Sequence, residues 1–305
     1  MHTEDASERY VDLDAWGSLD ILHTLWEAQL AAVAAIGPAL PAIVAAAEAS
    51  EARLRHEGRL VYVGAGTSAR IGVQDGVELP PTFDWPEERL RFGIAGGDTA
   101  ITCAVEGAED STDQAAAWVA EAEIGRHDVV IGLSASGTTP FTLAALQSAR
   151  ASGALTVGIA NNPDTPILQH SAHPILVATG KEVVAGSTRM KAGTAQKIVL
   201  NLLSTLIMIR LGRVYRGRMV AMRATNQKLR ARGVAMVAQL AGCDEAFALR
   251  AGMEADGDIK RAVLIAMGSD RSEAERLLGR HDGNLRRAID AATRDRAVPN
   301  TKHDA

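Results

Sequence analysis

Five short, almost wholly apolar runs, each ending in glycine or small polar residues, set the tightest limit on how this chain folds: RLVYVGAG, LRFGIAGG, DVVIGLSASG, ALTVGIANNP and HPILVATG. Between several of them lie Ala-rich stretches with helical spacing, notably Ser111 to Glu123 and Pro140 to Ala151. A strand that is apolar on both faces must be covered on both, and the intervening helices supply the covers. The pattern therefore predicts an α/β fold, a doubly wound parallel sheet flanked by helices on both faces. Ligands of such sheets bind where the strands end.

Upstream, apolar residues recur at helical spacing from Leu19 to about Glu57 with a proline interruption, which predicts two helices leading into the first strand. Downstream, Ile198, Leu202, Leu203, Leu206, Ile207 and Ile209 make a mostly apolar cylinder ended near Gly212, a helix expected in the core or against another subunit. Beyond about Gly242, the segments DIKRAVLIAMG, RSEAERLLGR and NLRRAIDAATR predict a small C-terminal helical appendage, with its last few residues fraying. The expected division is residues 1–57 as helices packing on the core, 58–240 as the sheet domain, and 241–305 as a small helical domain. His170 and His173, at the end of a strand, are assigned to structure.

With 305 residues, 47% of them hydrophobic, the chain can bury a sizeable core. Its net charge of −5 and lack of a Lys/Arg run give no reason to expect nucleic acid or an anionic membrane as partner. Cys103 and Cys243 lack metal-type spacing and read as two free thiols, which suits a reducing cytoplasm. The apolar stretch AAVAAIGPALPAIVAAA carries Pro38 and Pro41 and follows no basic region, so it reads as helices rather than as a signal or membrane span. No metal or cofactor is expected.

The run VVIGLSASGTTPF carries the chemistry. A strand that stops in Ser134, Ser136, Thr138 and Thr139, then enters a helix through Pro140, offers hydroxyls beside the unpaired amides of a helix start. One hydroxyl suffices to cap a helix. Four in six residues exceed that need, and Gly137 lets the backbone approach a ligand closely, so the loop is expected to hold an anion. A second turn, VYVGAGTSAR, repeats the logic. Gly64, Gly66 and Ala69 also fit a dinucleotide fingerprint, but a clear ribose-binding acid is missing at the end of the next strand, RFGIAGG. Thr67 and Ser68 are assigned instead to sugar hydroxyls or phosphate.

Read with GSTRMKAGTAQK, these loops resemble the sugar isomerase domain family, whose members bind phosphosugars with a Ser/Thr-rich loop after a central strand. GAGTSAR, ELPPTF, IAGG, AVEGAEDS, NNP and KEVVAGSTRMKAGTAQK, in that order, resemble the N-acetylmuramic acid 6-phosphate etherases from about Leu19 to DIKRAVLIAM. Ser136 and Thr139 match the invariant part of that family's phosphate loop, and Ser134 and Thr138 its looser positions. Members usually carry Arg at the position of Thr138, Gly at Ala69, and Ala-Ser-Glu-Cys where this chain reads Gly76-Val77-Glu78-Leu79. Their Asn-Pro-rich N-terminal stretch is replaced by ASERYVDLDAW.

The resemblance implies cleavage of the lactyl ether at C3 of an open-chain aminosugar phosphate by elimination of lactate and addition of water. Such a route needs a base for the C2 proton and an acid for the departing oxygen, which two carboxyls in different surroundings can supply. Glu78 matches the family's proton donor and Glu109 its second catalytic glutamate, here assigned as the C2 base. Glu106, three residues before Glu109, is the obvious confounder. Glu182 aligns with an acid that isomerase relatives use for proton transfer. Arg189 and Lys191, with Ser187 in the same loop, are candidates to hold phosphate or carboxylate, or to fix the loop by a salt bridge. The alternatives are an aldose–ketose isomerase acting on a phosphosugar through Glu182, and a non-catalytic phosphosugar sensor. The resemblance also implies a homodimer pairing through the apolar helices.

Overall fold

The computed structural model describes residues 3–55, 57–222 and 227–297. Its contacts fall into two compact units, Met1–Val77 with Pro86–Ile207, and Glu78–Trp85 with Met208–Ala305. The expected fraying at the C-terminal end falls outside the described residues.

In the first unit, α1 (Ser18–Ala34) and α2 (Leu40–Leu54) flank a 3-10 turn at Gly37–Ala39 and lead into β1 (Leu60–Gly64) and α3 (Gly66–Val77). The short α4 (Leu79–Phe83) belongs to the second unit. The first unit continues with β2 (Leu90–Ile94), α5 (Thr112–Glu121), β3 (Val129–Ser134), α6 (Pro140–Ala151), β4 (Leu155–Ala160), α7 (Pro166–His170), β5 (His173–Leu176) and α8 (Lys191–Arg210). Each of the five apolar runs supplies one strand. All pair parallel in the order β2-β1-β3-β4-β5, so the direction of winding reverses between β1 and β3. The crevice at such a reversal is where doubly wound sheets take ligands. The loops after β1 and β3 are the two that carry the hydroxyls.

On one face, Val61, Val63 and Val130 pack against Ala115 and Val119 of α5 and Phe141, Ala145, Leu146 and Ala149 of α6. Gly93, Gly132 and Gly158 stand at one level of the sheet, linked through Val63. A Cβ would lie 2.6 Å from Trp118 at Gly93, 2.5 Å from Leu146 at Gly132, and 2.2 Å from Ser171 Oγ at Gly158. Glycine there seats the covering segments directly on strand backbone. On the other face α3 is tied to sheet and α8 through Asp75, whose carboxylate accepts from Tyr62 Oη (2.9 Å), Asn201 Nδ2 (2.8 Å) and Ser204 Oγ (3.1 Å). Burial pushes the Asp75 carboxyl above the ordinary carboxylate range, and these bonds only partly oppose the shift. Lys191–Arg210 is long and apolar enough to cross a membrane. In this fold, however, Val199, Leu200, Leu203 and Ile207 are fully buried core residues, each burial worth about 1.5–3 kcal/mol.

The second unit contains α4, a hairpin of β6 (Val214–Tyr215) and β7 (Arg218–Met219), and five helices: α9 (Gln227–Ala241), α10 (Glu245–Glu254), α11 (Ile259–Ala266), α12 (Arg271–Arg280) and α13 (Leu285–Ala297). Asp244, Asp258 and Asp270 cap α10, α11 and α12 by accepting amide hydrogens from the first turns. Met236 and Val237 of α9 share a core with Ala262, Val263, Leu277 and Ala288.

The two units meet elsewhere than at residue 240. Residues up to 57 lie in the unit of the sheet, with Ile43, Ala46, Ala47 and Leu54 buried. The helical unit begins at Met208 and recruits Glu78–Trp85 from far upstream. Arg213 explains the recruitment: its guanidinium donates to the carbonyls of Phe83 (3.1 Å) and Asp84 (2.9 Å) and lies over the Trp85 ring. The histidines also differ from expectation. His170 ends α7 and His173 opens β5, so they bracket the start of that strand.

Candidate active site

After β3 the chain turns at Gly137, whose φ of +75° is left-handed. The four hydroxyls form one network. Ser134 Oγ lies 2.8 Å from Thr139 Oγ1 and 3.1 Å from Ser136 Oγ, and accepts from the Gly137 amide at 3.0 Å. Ser136 Oγ accepts from the Thr138 amide (3.2 Å) and hydroxyl (3.1 Å). Ser134 is buried, whereas Ser136, Thr138 and Thr139 are half-buried. Ser134 thus holds the loop from within, and the other three, more exposed hydroxyls lie just before the first turn of α6. A helix start leaves its first amides without intrahelical partners, which makes this position suited to an anion.

After β1, Gly66 takes a φ of +53° and Thr67 and Ser68 enter the first turn of α3. Thr67 is half-buried. Ser68 is buried and donates to Gln196 Oε1 of α8 (2.9 Å), and Gln196 Nε2 donates to Asn161 Oδ1 (3.0 Å). The Ser68 proton is therefore committed within the protein, leaving the oxygen as acceptor.

Sequence reasoning noted Asn161 and Asn162 only as part of NNP and gave them no role. Asn162 Nδ2 donates to the carbonyls of Ala135 (3.1 Å) and Ser136 (3.4 Å) and to Thr3 Oγ1 (2.8 Å). The Thr3 carbonyl in turn accepts from the Gly186 amide at 3.1 Å. Through Gln196, Asn161, Asn162 and Thr3, the turn after β1, the loop after β3 and the loop before α8 form one connected frame. Position in a parallel sheet, with asparagines just past the end of β4, was the signal that could have found them.

In the loop before α8, Glu182 is 1% exposed and its two oxygens accept from the amides of Lys191 (3.0 Å) and Ala192 (2.9 Å). It holds the start of α8. Lys191 Nζ donates to the Lys181 carbonyl at 2.9 Å, and burial pushes its ammonium below the ordinary lysine value, with Glu182 opposing that shift. Ser187 is half-buried and Arg189 exposed. Arg189 makes no salt bridge among the described residues, so the loop is fixed by Glu182 and Lys191 instead.

Glu109 is exposed in a 3-10 turn, Ala108–Asp110, entered through left-handed Gly107 and packed against α6. Glu106 is exposed on the same loop. Glu78 is exposed in the second unit, at the N-cap position of α4 immediately after α3. Among the described residues, no three His, Cys, Asp or Glu side chains gather as metal ligands.

Residues 42–150 match the glucokinase regulatory protein N-terminal SIS domain and residues 102–208 the SIS domain. An N-acetylmuramic acid 6-phosphate etherase of Deinococcus radiodurans is 47% identical over 94% of both chains. This chain belongs to the N-acetylmuramic acid 6-phosphate etherase family. The etherase of Streptomyces avermitilis is 44% identical over 96% of this chain and 95% of its own, and that of Symbiobacterium thermophilum 46% over 86% and 87%. One departure from the etherase pattern has a physical counterpart here. At Gly76, where etherases usually carry Ala, a Cβ would lie 2.6 Å from the Phe92 ring, which stacks on Tyr62 with centroids 5.8 Å apart. The aromatic pair fills the space an alanine methyl would need.

Proposed function

We propose that the protein cleaves the D-lactyl ether of N-acetylmuramic acid 6-phosphate, giving N-acetylglucosamine 6-phosphate and D-lactate in the recycling of cell-wall sugar, in the cytoplasm and without a metal or cofactor. The observation that carries this reading is the hydroxyl network of Ser134–Thr139, preformed at the sheet's reversal point in a chain of etherase descent. In the proposed cycle, Ser136 and Thr139 grip the 6-phosphate with the amides after Gly137. Glu109 takes the C2 proton, made acidic by the C1 aldehyde of the open-chain sugar. Glu78 protonates the departing ether oxygen and then, as a carboxylate, takes a proton from the incoming water, whose hydroxyl adds at C3 while Glu109 returns its proton to C2. Burial of Glu182 beneath the start of α8 favours this reading over the isomerase one, because each oxygen of the required base already holds an amide.

Incubation with N-acetylmuramic acid 6-phosphate followed by assay of D-lactate tests the reaction; no lactate from folded protein would refute it. Substituting both Ser136 and Thr139 by Ala should raise KM by about 10²-fold or more, since each hydrogen bond to a charged group is worth about 1.5–3 kcal/mol. The phosphate is gripped in ground and transition states alike, so kcat should move far less. An unchanged KM would place the anion elsewhere.

The working form is proposed to be a homodimer. Leu19, Leu22, Trp26, Leu30 and Val33 form an exposed apolar stripe along α1, with Trp26 60% exposed, more than a stable monomer ordinarily leaves in water. Light scattering at micromolar concentration should give twice the chain mass. A fully active monomer would overturn this.

A further inference from the structure

Arg70, the last residue of the GAGTSAR turn, has no part in the proposed chemistry. It lies one turn into α3, two residues after Ser68. Its guanidinium reaches the loop after β2: Nε donates to the carbonyls of Ala100 (3.2 Å) and Ile101 (3.0 Å), and Nη2 to those of Ala100 (3.0 Å) and Cys103 (3.3 Å). Two of these carbonyls belong to the last residues of the 3-10 turn Asp98–Ile101 and the third lies two residues beyond. The last carbonyls of a helical turn lack partners within it and carry its negative pole. A planar fork of N–H donors can hold several converging carbonyls at once, which a lysine ammonium does with less directional control.

Little else fixes the chain just beyond Cys103. Among the described residues, the amides of Ala104, Val105, Glu106 and Gly107 make no hydrogen bond, and regular structure resumes only at Ala108–Asp110. The far end of this loop is seated by Ala108 against the α5–α6 core cluster. Its near end is seated by Arg70 and by Val105, which lies over Gly96 so closely that a Cβ there would come within 2.9 Å.

We infer that Arg70 is a positioning residue: by clamping the carbonyls of Ala100, Ile101 and Cys103 to α3, it sets where the Glu106–Glu109 segment stands relative to the Thr67–Ser68 turn on the same helix. The kinetic part of this inference rests on the etherase reading, in which Glu109 removes the C2 proton; the structural part does not.

The test is Arg70→Ala beside Arg70→Lys, with two readouts. Steady-state kinetics on N-acetylmuramic acid 6-phosphate should show kcat lowered about 10²-fold in Arg70→Ala, the loss expected when a reacting group is displaced by about 1 Å. KM should stay within about threefold, because the anion loop is untouched, and Arg70→Lys should recover only a minor part of kcat. Hydrogen–deuterium exchange should accelerate by about tenfold or more in peptides covering residues 98–103, where the amides of Ala100, Thr102 and Cys103 are hydrogen-bonded, with peptides of β3 and α6 unchanged. If Arg70→Ala fails to fold, Arg70→Gln, which keeps the stem and one donor group, takes its place. Unchanged exchange in 98–103 overturns the clamp. A raised KM with kcat retained also overturns it, since Arg70 would then be a substrate ligand. Should the wild type release no lactate, the etherase reading fails, and the exchange measurement alone still decides the clamp.

Discussion

Glu109→Gln is expected to stop both lactate release and exchange of the C2 hydrogen with solvent deuterium. Proton removal at C2 precedes every later event in the proposed elimination, so an enzyme without its base has nothing to expel and nothing to exchange. General base help is typically worth about 10²–10⁴-fold, and the glutamine amide keeps the shape and hydrogen-bonding size of the side chain while losing its basicity. Glu109 is exposed in a 3-10 turn, so the substitution should leave folding intact. Glu106 serves as the control, because it shares the loop and the exposure. Wild-type lactate release from Glu109→Gln would remove Glu109 from the mechanism. Exchange that persists there but disappears in Glu182→Gln would move the protein to the isomerase reading.

Glu78→Gln should give a different result, lactate release lowered by about 10²–10⁴-fold while some C2 exchange survives. The base is intact in this variant, so the C2 carbanion still forms and is reprotonated from solvent. Only the departing oxygen has lost its acid, and the returning water its base. Glu78 is exposed at the N-cap position of α4 and its side chain makes no cap bond, so no folding role masks the outcome. Measuring deuterium uptake and lactate in one sample separates the two glutamates. Equal loss of both signals in both variants would contradict the division of labour.

The strands were legible because a buried parallel sheet leaves an unmistakable trace: RLVYV, VVIGLS and LTVGIA have no polar face to offer water. The hydroxyl loop was legible for the complementary reason, since Ser134, Ser136, Thr138 and Thr139 exceed what a helix cap requires. Other features depend on partners distant in sequence. Nothing local marks Glu78–Trp85 as belonging with Met208 onward; that placement comes from Arg213 meeting two carbonyls some 130 positions upstream. Glu182 reads in sequence as a candidate proton-transfer acid, and only the return of the chain at α8 shows its oxygens engaged. The β6–β7 hairpin was missed although Arg216-Gly217, both left-handed in the structure, sits between its two strands. Two residues per strand are too few to show alternation.

The glycine row across the sheet has a bearing on how the hydroxyl loop Ser134–Thr139 keeps its shape in an empty enzyme. Gly132 stands two residues before Ser134, and the leucine seated on it, Leu146, lies six residues beyond Pro140. The loop is thus a short span whose two abutments are bolted together directly beneath it. Slack that a bulkier residue at Gly132 would introduce, by lifting α6 off the strand, would have to appear in the five-residue arch between. The site's readiness for its ligand is in this sense a property of the foundation as much as of the hydroxyls, and drift at Gly132 would blunt recognition while every residue that touches the sugar stayed the same.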